Sequence, residues 1–171
     1  MRLNKYLARS GVASRRQSDD LIRRATTEIN GQICLNPAYY VKPNDKVLYD
    51  GRKISPVGEK IVIMLNKPKN VITTVKDDCG RKTVMDLLKI KTRVTPVGRL
   101  DKNTTGLLLL TNDGKLQHYL THPSNGVIKS YEAIIEGRLD YKCVEKISRG
   151  IYIGYNEYGK ADIVSQNTRK S

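Results

Sequence analysis

The sequence predicts an α+β fold in two parts: a small helical N-terminal domain with a small sheet at residues 1–50, then a mixed, largely antiparallel-sheet domain at residues 61–171, joined by a linker at 51–60. Three observations carry this division. Two short amphipathic helical stretches open the chain. Gly51, Pro56 and Gly58 interrupt any regular pattern in "YDGRKISPVGEK". Beyond them, apolar strand-like runs follow one another with short helical patterns between.

In the first part, Leu3, Tyr6 and Leu7 form the apolar stripe of a short helix, and Arg2, Lys5 and Arg9 share another face. Gly11 closes that helix. Ser14 opens a second one, with Gln17 three residues later completing a capping box. Leu21, Ile22 and Ala25 supply its buried side, and Arg15, Arg16, Arg23 and Arg24 decorate the rest. "EINGQICL", with its Asn30-Gly31 turn, and "VKPNDKVLYDG", with alternating Val47 and Tyr49, predict a small sheet.

In the second part, "KIVIMLNKP" is a strand ended by a Lys-Pro turn, and "NVITTV" is its expected partner. Thr83 and Asp86 cap a helix carrying Val84, Leu87 and Leu88. "RVTPVGRLD" leads to "TGLLLLT", expected as a buried strand, and "NDG" turns the chain into the helix "KLQHYLTH". "IKSYEAIIEG" alternates as a strand does, with Tyr131, Ala133 and Ile135 on one side. A last helix spans Asp140 to Arg149, with Val144 and Ile147 inward.

Lys and Arg number 31 against 17 Asp and Glu, a net charge of +14, which creates a positive field suited to a polyanion. The excess is spread over both parts, with 12 basic and 6 acidic residues in 1–60 and 19 and 11 in 61–171. No apolar run approaches the ~20 residues that cross a bilayer, no signal-peptide core opens the chain, and no helix pairs a broad apolar face with a basic one, so a cytoplasmic protein off the membrane is expected. Cys34, Cys79 and Cys143 are odd in number and far apart, against a disulfide framework or zinc knuckle. His118 and His122 have the i,i+4 spacing of helical metal ligands but no third ligand nearby, and no metal site is expected.

One acid stands out. Asp101 follows Arg99 and Leu100 and precedes Thr105, Gly106 and four leucines, so its loop is held between two core strands. Spacing alone leaves two readings open: a preorganised catalytic carboxylate, or a surface turn paired with Arg99.

The residue patterns resemble known families. "RLNKYLARSGVASRR", "INGQ" and "VKPNDKV" resemble the small RNA-binding domain named for ribosomal small-subunit protein four. That resemblance implies RNA on the face bearing Arg2, Lys5, Arg9, Arg15 and Arg16. "GRLDKNTTGLLLLTNDG", flanked by "LNKPKNVITTVKDDCGRKTVMDLL" and "THPSNGVIKSYEAIIEG", resembles the bacterial ribosomal RNA pseudouridine synthases, of the small-subunit synthase A and large-subunit synthase B type. The match is most specific at Gly98, Arg99, Leu100, Asp101, Thr105 and Gly106, and the last flank leans toward the large-subunit members.

By that resemblance, Asp101 is the catalytic nucleophile, Tyr131 stacks on the target uracil, and Arg99 and Lys129 contact RNA. Gly98, Leu100, Thr105 and Gly106 shape the motif. The implied reaction isomerises uridine to pseudouridine in ribosomal RNA of either subunit without a cofactor, by a monomeric protein. An ionised carboxylate can attack carbon 6 of the base, attack carbon 1′ of the sugar, or assist glycal formation. Apolar surroundings oppose ionisation, so a basic partner for Asp101 is expected. The target base must be flipped out of its stack, at about a few kcal/mol.

Relatives in this family continue into a segment rich in Arg and Gln that supplies the cation facing the acid, whereas this sequence ends in "SQNTRKS" and neither Arg169 nor Lys170 takes that role. A C-terminally incomplete catalytic domain with impaired activity is therefore expected. The competing class is a non-catalytic RNA-binding or ribosome-assembly factor that keeps the fold.

Overall fold

Residues 1–154 and 156–167 are described by a computed structural model, which divides into two units, Met1–Val127 and Ile128–Ser171. Each unit is built by the patterns above, with several departures.

In the first unit, helix α1 (Leu3–Arg9) and helix α2 (Arg15–Arg23) bury Leu3, Leu7 and Ile22 completely. The capping box forms as expected: Ser14 Oγ accepts from the Gln17 amide, and Gln17 Oε1 accepts from the Ser14 amide. Asn4 Nδ2 donates to Asp19 at 2.7 Å and ties the two helices together. Ala25 departs from expectation. It stands beyond the helix, exposed, in the left-handed region at φ 58°, because α2 has already ended at its cap, Arg24.

Strands β1 (Thr27–Ile29), β2 (Gln32–Ile33), β3 (Val47–Tyr49) and β4 (Arg52–Lys53) form an antiparallel sheet in the order β2-β1-β3-β4. Asn30 and Gly31, both at positive φ, make the β1–β2 turn, as the mirror-image hairpin turns require. Asp50 and Gly51 do the same between β3 and β4, so the first residues of the expected linker are sheet. The irregular stretch begins after Lys53. Ile29, Val41 and Val47 join the helices in one buried core.

Strands β5 (Val62–Lys67), β6 (Thr95–Val97) and β7 (Gly106–Thr111) form a second antiparallel sheet with β7 central. The expected partner of β5, "NVITTV", is not a strand. Ile72 makes a single bridge to Thr83, and β5 pairs instead with β7 along its whole length, from Val62 opposite Thr111 to Lys67 opposite Gly106. Thr83 and Asp86 cap a short 3₁₀ turn, Val84–Leu87. The run "TGLLLLT" is buried on one face only. Leu108 and Leu110 join Val71, Val84 and Val94 in a second core, while Leu107 points outward and is exposed. Helix α3 (Gly114–Thr121) follows, capped by Asp113.

In the second unit, Asp140 caps helix α4 (Tyr141–Arg149), where Val144 and Ile147 are half-buried, and strands β8 (Ile151–Gly154) and β9 (Glu157–Gly159) form a hairpin. The expected strand at "IKSYEAIIEG" is irregular chain without a β-bridge among the described residues. Period-two alternation marks two faces, but a strand also needs a hydrogen-bonded neighbour, and residues 127–135 bridge to none of the described residues.

Candidate active site

The Asp101 loop begins and ends on glycines that the backbone requires. Gly98, at φ 78°, turns the chain out of β6, and Gly106, at φ 125°, starts β7. Space for a side chain is open at both, so the constraint is conformational. Between them, the loop is fastened from outside. Thr73 Oγ1 donates to the Leu100 carbonyl at 2.6 Å and accepts from the Leu100 amide at 3.2 Å, which fixes the residue before Asp101. The Asn70 amide donates to the Lys102 carbonyl at 2.9 Å, which fixes the residue after it. Thr104 N–H closes a turn on the Asp101 carbonyl. The Leu100 side chain packs on the second core.

A buried cation completes this frame. Lys67, the last residue of β5, has no exposed surface. Its Nζ donates to the carbonyls of Pro68 at 3.0 Å and Lys102 at 3.3 Å. Burial pushes its pKa below the ordinary lysine value, and the negative charge of Asp101 opposes that shift. Lys67 lies in "LNKP", 34 positions before Asp101, and no ion pair joins the two among the described residues. A strand-terminal lysine in a Lys-Pro turn was the available signal, and it was legible only as a turn.

Asp101 itself is exposed, not enclosed by apolar side chains as its leucine-rich neighbourhood implied. The alternating pleat buries Leu108 and Leu110 in the second core, on which Leu100 packs, and leaves Asp101 to solvent. Arg99 is also exposed, and no ion pair joins it to Asp101 among the described residues. The surface-turn reading therefore loses its partner. Thr105 is exposed and lies at the entry to β7.

On α1 and α2, Arg2, Lys5, Arg9, Arg15 and Arg16 are all exposed and form none of the described ion pairs. Arg15 and Arg16 occupy the first turn of α2, and Arg2 is the N-cap of α1. Lys129 and Tyr131 belong to the second unit, on an irregular segment, with Tyr131 66% exposed. Arg169 and Lys170 lie outside the described residues. The rings of His118 and His122 stack at 4.7 Å, and no group of three or more metal-ligating side chains occurs among the described residues. The cysteines are free. No helix among the described residues is long and apolar enough to cross a membrane.

Comparison with known proteins bears on this site. The RNA pseudouridylate synthase family matches residues 61–170, and the S4 domain matches residues 1–47. Ribosomal large subunit pseudouridine synthase B of Bacillus subtilis is 38% identical over 172 residues, covering 99% of this chain and 70% of the relative. An uncharacterized RNA pseudouridine synthase of Aquifex aeolicus is 42% identical, covering 88% and 61%. The dual-specificity RNA pseudouridine synthase RluF of Escherichia coli is 34% identical, covering 90% and 53%. The chain thus spans between 53% and 70% of the length of these relatives. A crystal structure of a pseudouridylate synthase shares the fold, with a TM-score of 0.54 at 24% identity over 94% of this chain and 70% of that one. The chain belongs to the RNA pseudouridylate synthase family and carries an S4 domain at its N-terminus.

Proposed function

We propose that this protein isomerises uridine to pseudouridine in ribosomal RNA, with Asp101 as the catalytic carboxylate. The observation that supports this most directly is the Asp101 loop. It presents an exposed carboxylate from a backbone fixed on both sides by Thr73 and Asn70, with the buried ammonium of Lys67 bound to the carbonyl of the next residue, Lys102. A group held in this way is ready to meet a reacting atom without first paying to order itself. The Bacillus subtilis relative, named as a ribosomal large subunit synthase, supports the substrate class.

The reaction breaks the bond from carbon 1′ to nitrogen 1 and forms one from carbon 1′ to carbon 5 of the same base. Carbon 5 loses a proton and nitrogen 1 gains one, so the change is an isomerisation with no net transfer of atoms. Asp101 acts at carbon 6, at carbon 1′ or in forming a glycal. Tyr131 offers an aromatic face worth about 1–3 kcal/mol to the flipped uracil, and Arg99 and Lys129 hold neighbouring phosphates. Residues 1–50 dock the RNA through Arg2, Lys5, Arg9, Arg15 and Arg16, residues 51–60 link, and the chain from 61 onward supplies the chemistry. The protein works as a monomer in the cytoplasm, where ribosomal RNA is found.

The test is tritium release from ribosomal RNA labelled at carbon 5 of uridine. Release by a chain extended beyond Ser171 that Asp101→Asn abolishes is the expected result. Undiminished release by Asp101→Asn would remove the acid from the mechanism. Salt-sensitive RNA binding that survives Asp101→Asn, with no release even by the extended chain, would favour the non-catalytic RNA-binding reading.

A further inference from the structure

Tyr39 and Tyr40 are adjacent but face opposite ways. Tyr39 packs against the first core, and its hydroxyl donates to Asp45 at 3.2 Å. Tyr40 is 69% exposed and its ring is left to solvent. An antiparallel bridge sets Tyr40 directly opposite Arg2. The amide of Leu3 donates to the Tyr39 carbonyl at 2.8 Å, and that of Val41 to the Met1 carbonyl at 2.9 Å. The hydrogen bonds therefore lie on either side of the pair and not within it. In that arrangement the two side chains stand on one face at the closer of the two cross-strand spacings. A phenol ring and a guanidinium, both exposed, are thus held side by side by backbone.

The ring also borders a groove of about 400 Å³ lined by Tyr6, Lys42, Asp45 and Pro56. Its walls are fixed. The Tyr6 hydroxyl donates to the Ile54 carbonyl, and Asp45 accepts from the Lys42 amide, the Asn30 side chain and the Tyr39 hydroxyl. Those three donors occupy the carboxylate, which is the one acid in the groove. Lys42 and Arg2 leave the cations in excess around the ring.

From this arrangement we infer that Tyr40 is a stacking platform for an unpaired nucleobase of the bound RNA, with Arg2 and Lys42 holding the flanking phosphates. An aromatic face beside a cationic track is the combination that binds single-stranded nucleic acid with little regard to sequence. A paired base presents no free face, so the platform selects RNA whose helix is interrupted where Arg2 and Lys42 hold its phosphates. The inference rests on the RNA-binding reading proposed above and adds a second type of contact to it, distinct from phosphate binding.

The experiment compares the affinity of the full chain and its variants for a short single-stranded RNA and for the same sequence as a blunt duplex. Tyr40→Ala is expected to weaken single-strand binding by about 5- to 150-fold while changing duplex binding by less than about twofold. The chain has no tryptophan, so Tyr40→Trp introduces a single indole. It is expected to retain affinity, and its fluorescence to be quenched when the single strand binds. Tyr40 is exposed, so neither variant threatens the core. A single strand bound by wild type that tolerates Tyr40→Ala within twofold, or that leaves the introduced indole unquenched, overturns the inference while the RNA-binding reading stands. Wild type that binds neither RNA overturns both.

Discussion

The buried ammonium of Lys67 donates to the backbone carbonyl of Lys102, one residue beyond Asp101, and so joins the end of β5 to the candidate catalytic loop. Replacing it by Lys67→Met leaves the Pro68 and Lys102 carbonyls without this donor. Both residues are exposed and water can reach them, so the stability cost belongs at the low end for a lost partner, about 1 kcal/mol in urea unfolding. Loop placement is affected more, and turnover is expected to fall about 100-fold. A loss of turnover no larger than the loss of stability would make Lys67 a packing residue only.

The same lysine reports on Asp101. Its pKa is lowered by desolvation and partly restored by the charge on the acid. Asp101→Asn removes that restoring charge, so the Lys67 pKa is expected to fall further, read by NMR titration of its ammonium. Because the folded value lies below the ordinary 10.5, the unfolded chain binds more protons between the two. Stability therefore rises with pH across that alkaline window. The rise should start at lower pH in Asp101→Asn; identical windows would show that the two charges do not communicate.

Thr73 holds the Leu100 amide and carbonyl with one hydroxyl. Thr73→Val keeps the shape and removes both bonds, and is expected to cost about 1–3 kcal/mol and to lower kcat with little change in KM. Thr73→Ser restores the hydroxyl and should recover most of both. A valine variant with wild-type kcat would show that the loop holds its place without this clasp.

The contrast between these residues and Ser14 explains what was legible in the sequence. The Ser14–Gln17 box, the Asn30-Gly31 turn and the Thr83–Asp86 cap each lie within a few residues, where backbone chemistry alone selects the pattern. Asp101 was legible because its flanks resemble a known motif. Thr73 and Lys67 were not, since their partners lie 27 and 35 residues away and the polar pairing appears only when β5 and β7 align. "NVITTV" and "IKSYEAIIEG" carry strand patterns, yet among the described residues the first forms a single bridge and the second none, because alternation fixes a face and leaves pairing to tertiary structure. Tyr40 was visible as an aromatic but acquires a role only through its bridge to Arg2.

Two carboxylates set the acid limit of the fold. Asp113 accepts from Lys60 and caps α3, and Asp77 takes the Arg81 guanidinium and two amides, which hold both pKa values down to about 2 from the ordinary 3.8. Their contribution is fully present above about 3.8 and is lost as pH falls toward 2. Asp113→Asn keeps an oxygen for the cap but removes the ion pair. Its thermal unfolding midpoint should therefore change less than that of wild type between these pH values. An unchanged acid profile would place the titrating groups elsewhere.

Arg15 and Arg16 stand exposed in the first turn of α2, free of the described ion pairs, so they can give their full charge to phosphate. Each contact releases condensed counterions, and the slope of log affinity against log salt counts those contacts. Arg15→Ala and Arg16→Ala are each expected to flatten that slope by roughly 0.7 to 0.9 and to weaken single-stranded and duplex RNA alike. Tyr40→Ala should leave the slope unchanged while weakening the single strand, because stacking displaces no ions. A slope that stays constant in both arginine variants would move the RNA track off α2, to the other basic faces of the chain.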